Sequence, residues 1–465
     1  MPILLFFVCA ELLAEEQQVS VVYEQHCAQC HGDQLQGGNA KSLSDGIWQF
    51  GDKPGHITRN IKNGITHLGM PAYADSLTDK QIRALTAYIL DAQEKSGAEP
   101  HPIPATLQTH DYDVRVERWA EGLEIPWSLA FLDEDMALVT ERPGRLRVIE
   151  KGRLHPKPVS GTPAVLAEGQ GGLLAVAFDP HYREENNQWI YLAYSHGLKI
   201  PPNGKRAPAM TRVVRGRING NAWVDEEVLF EAPHETYATT RVHFGTRLVF
   251  DAEDNLYFSI GDRGTGAHAQ DLSKPNGKIH RIRKEGSIPK DNPFRRRPNA
   301  MTTIYSYGHR NPQGMSIHPA TGALWAAEHG PMGGDELNLV RAGGNYGWPV
   351  ITYGKNYNGS VITEYTHRTG MEQPALYWRP STAVCGIAFY HGDLFPKWED
   401  KLLVGALKYE DVRLLDIEDS RVMHEEVILK SAGRVRDVAC GPEGAIYVVL
   451  NEPGTILRLT PLPAD

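Results

Sequence analysis

Six recurrences of one strand-turn-strand pattern predict an all-β six-bladed β-propeller over residues 110–465, and helical periodicity ahead of them predicts a small all-α domain at the N-terminus. Composition agrees: 45 Gly and 31 Pro in 465 residues suit many tight turns between short strands. With 41% hydrophobic and 23% charged residues, a disordered or fibrous chain is excluded. Lys and Arg number 48 against 57 Asp and Glu, a net charge of −9 that argues against non-specific binding to nucleic acid or an anionic membrane. Five cysteines in a chain this long exclude a disulfide scaffold.

The elements follow in chain order. Pro2 to Ala14 is an apolar run containing Cys9, too short to span a bilayer, and it reads as an export signal over residues 1–14 that directs the chain to the periplasm. A buried N-terminal strand is the alternative. Residues 15–95 form the small domain. Within them Cys27-Ala-Gln-Cys30-His31 has the C-x-x-C-H spacing that lets two thiols add to haem vinyl groups while the adjacent imidazole reaches the iron. Met70, in Gly69-Met70-Pro71, supplies the second axial ligand expected of an electron-transfer haem. A zinc site would need two further ligands nearby, and the next cysteine is Cys385. Val19 to Cys27 predicts a first helix, and Leu77 to Leu90 a second, with Ile82, Leu85 and Ile89 on one face after a polar Thr78-Asp79 start. Residues 20–92 thus resemble a class I cytochrome c, which implies one covalent haem c anchored by Cys27 and Cys30 and ligated by His31 and Met70. Residues 96–109, charged and then Pro-rich, read as a linker.

The repeats start near residues 128, 175, 247, 315, 387 and 437, each an apolar segment, a turn and a second apolar segment. Tyr112 to Val116 is expected to close the ring by joining the last blade. A two-sheet sandwich is the alternative to a propeller, since strand counts do not fix topology. Radial repetition brings equivalent loops to one mouth. Those loops are unusually rich in chemistry: Glu168-Gly-Gln170-Gly-Gly172, Arg241-Val-His243-Phe-Gly245, Gly308-His-Arg310-Asn311-Pro-Gln-Gly314, Glu328-His-Gly330-Pro331-Met-Gly-Gly-Asp-Glu336, Lys408, and Gly433-Arg434-Val-Arg436-Asp437. Four cations, Arg310, Lys408, Arg434 and Arg436, converging in an acidic protein predict a compact, multiply anionic ligand.

The motifs GQGGLL, HFGTRLVF, GHRNPQG, EHGPMGGDELN, NYGWP, GALK and GRVRDV, in this order, resemble those of the soluble pyrroloquinoline quinone (PQQ)-dependent sugar dehydrogenases, the soluble glucose and aldose sugar dehydrogenase family, over residues 112–460. The resemblance implies oxidation of an aldose sugar to a lactone, with PQQ and Ca2+ as cofactors and His243 as general base. It sets Gln170 beside the quinone and puts Arg310 and Asn311 on its oxygens. Lys408, Arg434 and Arg436 would neutralise its carboxylates. The Gly330 and Pro331 carbonyls would hold a calcium ion against the quinone, and a second, structural calcium would use Glu336 and the Tyr346 region. Trp378, Ser381 and Thr382 would flank the cofactor, although Trp378 to Cys385 departs from the family's usual run. Electrons would pass within the chain to the haem and then to a soluble cytochrome or respiratory chain. His suits the base role because its ordinary pKa lies near neutrality, and calcium suits an oxygen-rich site.

Two other functions remain open on the sequence. A haem-and-propeller reductase would need eight blades and a second haem, and a binding propeller would have lost the cofactor. The loops 198–208 and 355–370 carry no sugar-specific signature, and Cys385 and Cys440 lie near neighbouring inner strands as either a disulfide or a free pair.

Overall fold

Strands with both faces covered read as near-continuous apolar runs, and Leu173–Phe178 and Val384–Phe389, the first strands of two repeats, do so here. The computed structural model describes residues 19–45, 48, 54–65, 69–96, 103–202 and 204–463, so the expected export signal at 1–14 lies outside the described residues. Two compact units divide at residues 103 and 104.

In the first unit, helix α1 covers 19–26, followed by α2 (Ala28–His31), α3 (Pro54–Asn63) and α4 (Asp79–Ser96). Tyr23, Leu35, Ile57, Ile61, Leu85 and Ile89 form its core. The α4 start is a capping box: Gln81 N donates to Thr78 Oγ1 at 3.3 Å and Thr78 N donates to Gln81 Oε1 at 2.9 Å. The helix runs six residues beyond the expected end at Leu90. No breaker occurs in Asp91 to Ser96, and an Asp91–Lys95 ion pair at 2.7 Å spans one turn there.

The second unit contains β1 (Thr106–Gln108), β2 (Asp113–Ala120) and six sheets. Blade 1 is β3 (Pro126–Phe131), β4 (Met136–Glu141), β5 (Arg145–Glu150) and β6 (Arg153–Leu154). Blade 2 is β7 (Leu173–Phe178), β8 (Ile190–Gly197), β9 (Ala209–Asn219) and β10 (Ala222–Phe230). Blade 3 is β11 (Leu248–Phe250), β12 (Asn255–Ile260), β13 (Lys278–Arg283) and β14 (Ile304–Tyr307). Blade 4 is β15 (Pro312–Ile317), β16 (Leu324–Glu328), β17 (Asp335–Val340) and β18 (Leu376–Trp378). Blade 5 is β19 (Val384–Phe389), β20 (Leu402–Ala406), β21 (Asp411–Glu418) and β22 (Arg421–Lys430). Blade 6 joins β23 (Val435–Cys440), β24 (Ile446–Leu450) and β25 (Thr455–Pro461) to β2 and β1. The ring therefore closes as expected, with Val116 opposite Leu459. Thr106–Gln108, inside the expected linker, pair with β2. Five four-stranded sheets and one of five strands make six blades, which sets aside both the sandwich and the eight-bladed reductase.

Neighbouring blades pack face to face. Tyr191, Ala193 and Val213 of blade 2 meet Leu256, Phe258 and Ile260 of blade 3, and equivalent apolar layers lie between blades 1 and 2 and between blades 4 and 5. Near the axis the inner strands approach so closely that glycine is required. A Cβ at Gly314 would collide with the carbonyl of Cys385, and one at Gly386 with the carboxylate of Asp437. Arg247, just before β11, crosses to blades 1 and 6, donating to Trp127 O (3.3 Å) and Arg436 O (2.8 Å) and pairing with Asp437 (3.1 Å). Cys385 and Cys440 are free thiols whose Sγ atoms contact the carbonyls of Val435 and Phe389. Burial pushes them up to about 11 and about 12.

Candidate functional site

Antiparallel pairing of the first two strands in each blade brings the start of one and the end of the next to the same rim. Pro312 lies opposite Glu328, Val384 opposite Ala406 and Val435 opposite Leu450. The chemistry-bearing loops thus share one mouth.

His243 precedes β11 in a left-handed backbone conformation, φ 56°. Its ring Nδ1 donates to Asp262 Oδ1 at 2.6 Å, and its backbone N–H donates to Gln170 Oε1 at 2.7 Å. Asp262, just after β12, is enclosed and also accepts from Gly264 N at 2.7 Å and from Trp348 Nε1 at 2.8 Å. Burial raises the Asp262 carboxyl, but the hydrogen bonds from His243 and Gly264 and the charge of Arg310 bring it below the ordinary carboxylate value. Burial lowers the His243 imidazole, Asp262 opposes this, and Arg310 and Arg263 add to it, so the ring is neutral at pH 7. With Nδ1 fixed as the donor, Nε2 carries a lone pair free to accept a proton.

Arg310 and Asn311 stand in the turn before β15. The Arg310 guanidinium donates to His329 O (3.1 Å) and Gly330 O (2.6 Å). Glu328 anchors that turn, accepting from Arg310 N at 2.7 Å and from His309 Nδ1 at 3.0 Å. Asn311 Oδ1 accepts from Gly245 N and Gln313 Nε2, leaving its enclosed Nδ2 without a partner. Thr382 Oγ1 and His329 Nε2 are likewise enclosed and unpartnered. Arg436 lies over the Trp127 ring at 3.8 Å and donates to Asn451 Oδ1 (3.0 Å) and Gln313 Oε1 (2.9 Å). Burial, with Arg434, Arg247 and Arg142 nearby, makes its cationic form costly. Unused donors beside such cations fit a planar, oxygen-rich anion such as PQQ. Lys408 and Arg434 are exposed, Lys408 over Tyr409, and neither is hydrogen-bonded through its side chain to these groups.

Gly330 and Pro331, whose carbonyls are assigned to calcium, line a small pocket together with Glu328, Glu336 and Tyr346. Pro331 O accepts from Ser381 Oγ at 2.9 Å, and that hydroxyl also receives Gly333 N and Gly334 N. Ser381 therefore clamps the loop that carries the two carbonyls. Among the described residues Gly330 O accepts from Arg310 alone and keeps a second lone pair, whereas Pro331 O also accepts from Gly334 N at 3.3 Å. Burial and repulsion from Glu328 push the Glu336 carboxyl well above its ordinary value, and neighbouring carboxylates are the hard oxygen donors that suit a divalent cation. The Tyr346 hydroxyl is committed to Leu339 O at 2.6 Å, which leaves its backbone carbonyl for that role.

Trp378 does not flank the mouth. It is buried between blades 4 and 5 and its Nε1 donates to Glu425, because β18 pairs it with Asp335 and turns its ring into the apolar layer. Asp262 was missed by sequence reasoning. Its signal was the Gly261-Asp262-Arg263-Gly264 turn after β12, the counterpart of the Glu328-His-Gly330 turn after β16.

In the first unit, α1 and α2 present Cys27, Cys30 and His31 together, and His31 Nδ1 pairs with Lys41 O at 2.8 Å, leaving Nε2 for a metal. Met70 exchanges two backbone hydrogen bonds with Ile65 (2.9 and 3.3 Å), which fixes its loop.

The sequence profile described as Glucose / Sorbosone dehydrogenase matches residues 123–458, and that of cytochrome C oxidase, cbb3-type, subunit III matches residues 14–89. The aldose sugar dehydrogenase YliI of Escherichia coli is 42% identical over 355 residues, 75% of this chain and 93% of that protein. The crystal structure of the soluble aldose sugar dehydrogenase from Escherichia coli in the apo-form superposes with a TM-score of 0.70 at 40% identity, covering 75% of this chain and all of that one. The PQQ-bound form of an aldose sugar dehydrogenase from Streptomyces coelicolor does so with a TM-score of 0.60 at 26% identity, covering 77% and 99%.

Proposed function

The chain belongs to the glucose/sorbosone dehydrogenase family with a cytochrome c domain ahead of the propeller, and from this premise we propose that it oxidises aldose sugars to lactones with PQQ and calcium, passing the electrons within the chain to a covalently bound haem c. The observation that carries the reading is the His243–Asp262 pair at 2.6 Å beside unpartnered Asn311 Nδ2 and the cations Arg310 and Arg436.

When bound, PQQ with calcium would supply the hydride acceptor, and haem c would supply a one-electron acceptor. The chain's own residues do the rest. His243 Nε2 takes the proton from the anomeric hydroxyl, which raises the tendency of the same carbon to release hydride. Asp262 keeps Nδ1 protonated and stabilises the imidazolium that forms. Gln170 holds the His243 backbone. Arg310 and Asn311 would hold the quinone side of the cofactor, while Arg436, with Lys408 and Arg434 at the rim, would neutralise its carboxylates. Thr382 offers an unused hydroxyl to the same ligand. Ser381 fixes the Gly330–Pro331 carbonyls for the cation, and Glu336 with the Tyr346 carbonyl would hold the second one. Cys27 and Cys30 would anchor the haem, and His31 and Met70 would hold its iron. Residues 1–14 support export to the periplasm, and a soluble cytochrome or respiratory chain would take the electrons onward. Among the described residues no helix is long and apolar enough to cross a membrane.

The test is to load the full chain with PQQ and calcium, add aldoses, and record the haem spectrum. Sugar-driven haem reduction is expected. Reduction of an added dye without the haem would overturn the internal transfer alone, and absence of PQQ binding by native mass spectrometry would make the chain a binding propeller.

A further inference from the structure

Arg263 is a fully enclosed cation to which the reading of the site assigns nothing. Among the described residues it forms no ion pair with a carboxylate. Its guanidinium instead donates to three backbone carbonyls: Val242, Thr240 at 2.9 Å and Ala209 at 3.2 Å. It also lies 3.4 Å from the centre of the Phe244 ring, and Thr240 Oγ1 returns a bond to Arg263 O at 2.7 Å. One side chain thus grips residues 240, 242 and 244, the alternate positions around His243. His243 needs that grip, because a φ of 56° is unfavourable for a residue with a Cβ and persists only where the surroundings enforce it. The guanidinium fork can hold several carbonyls at once from one rigid plane, which a lysine cannot.

We infer that Arg263 is the positioning residue of the catalytic loop, its buried guanidinium holding the Thr240–Phe244 backbone in the arc that presents His243 to the mouth. The inference rests on the reading of His243 as the base. The charge works in the same direction as the geometry. The groups facing the His243 ring are Asp262, Arg310, Arg263 and His329. Burial lowers its proton affinity first, Asp262 raises it, and Arg310 and Arg263 lower it again. A positive charge behind the loop keeps the ring in its proton-accepting form.

Two full-chain variants separate fork from charge. Arg263→Lys keeps the charge and loses the fork, and Arg263→Gln keeps a donor and loses the charge. In protein without added cofactor, the His243 titration is followed by NMR on 13C-histidine-labelled chain, the resonance being identified by its absence in His243→Gln. Arg263→Gln is expected to titrate at higher pH than the parent and Arg263→Lys close to it. In PQQ- and calcium-loaded enzyme with a dye acceptor, both variants should lose about tenfold in kcat while KM stays within about twofold, and only Arg263→Gln should move the acid limb of kcat upward. An unchanged His243 titration in Arg263→Gln, or parental kcat in both variants, would overturn the inference. If Arg263→Gln does not fold, Arg263→Lys decides alone: parental kcat rejects the positioning role, and reduced kcat at retained KM with a parental titration supports it. A parent chain that oxidises no sugar would remove the functional reading and leave the NMR result intact.

Discussion

Replacing Asp262 with Asn tests the core of the proposed chemistry, because three N–H groups converge on this carboxylate. His243 Nδ1 (2.6 Å) and Gly264 N (2.7 Å) reach Oδ1, and Trp348 Nε1 (2.8 Å) reaches Oδ2. An amide of the same shape accepts at one end only. With its nitrogen toward Trp348, two donors face each other and the indole loses its acceptor. With its nitrogen toward His243, the imidazole must accept at Nδ1, which moves its proton to Nε2 and removes the base. Either way a charge-assisted hydrogen bond is lost, worth about 1.5–3 kcal/mol. At about 1.4 kcal/mol per decade this is about a ten- to hundredfold fall in kcat. The buried donor left without a partner should also destabilise the fold by about 1–3 kcal/mol. Steady-state kcat and KM with an aldose and a dye acceptor measure the first effect, and thermal melting measures the second. KM should change little, since the contact matters when the proton moves. Parental kcat in a folded Asp262→Asn enzyme would refute the orienting role.

His243→Gln should retain PQQ, measured by native mass spectrometry, yet lose about 10²–10⁴-fold in kcat, the usual contribution of a general base; retained turnover would remove His243 from the mechanism. Acid should destabilise the propeller through its neutral imidazoles. Burial brings His280 from 6.5 to about 3, and burial also lowers His243 and His329. Each binds fewer protons folded than unfolded, so its stabilisation is complete above the unfolded value of about 6.5 and is lost as pH falls toward the folded one. A melting temperature that stays constant between about pH 7 and about pH 4 would contradict this.

Features that repeat locally were legible in the chain. The six apolar pairs are periodic, and the closing strand at Tyr112 to Val116 alternates apolar and charged residues ahead of the first repeat, where it joins the last blade. The C-x-x-C-H run and the glycine-rich mouth motifs are contiguous, so spacing alone marks them. The limits of α4 were less legible, because helix-forming residues continue past the apolar face that defined it.

The sequence by itself determined the six blades, the N-terminal helical domain, and the loops that carry His243, Arg310, Asn311, Gly330 and Arg436, since each depends on period or on neighbours in the chain. Tertiary structure alone decided which of those residues touch. Asp262 reaches His243 across 19 residues, Ser381 reaches Pro331 across 50, and Arg436 reaches Gln313 across 123. It also turned Trp378 into a core between blades and set Arg263 beneath the His243 loop. Such pairings are fixed by the close approach of separate blades and by the need of buried polar groups for partners, and neither leaves a local pattern in the order of residues.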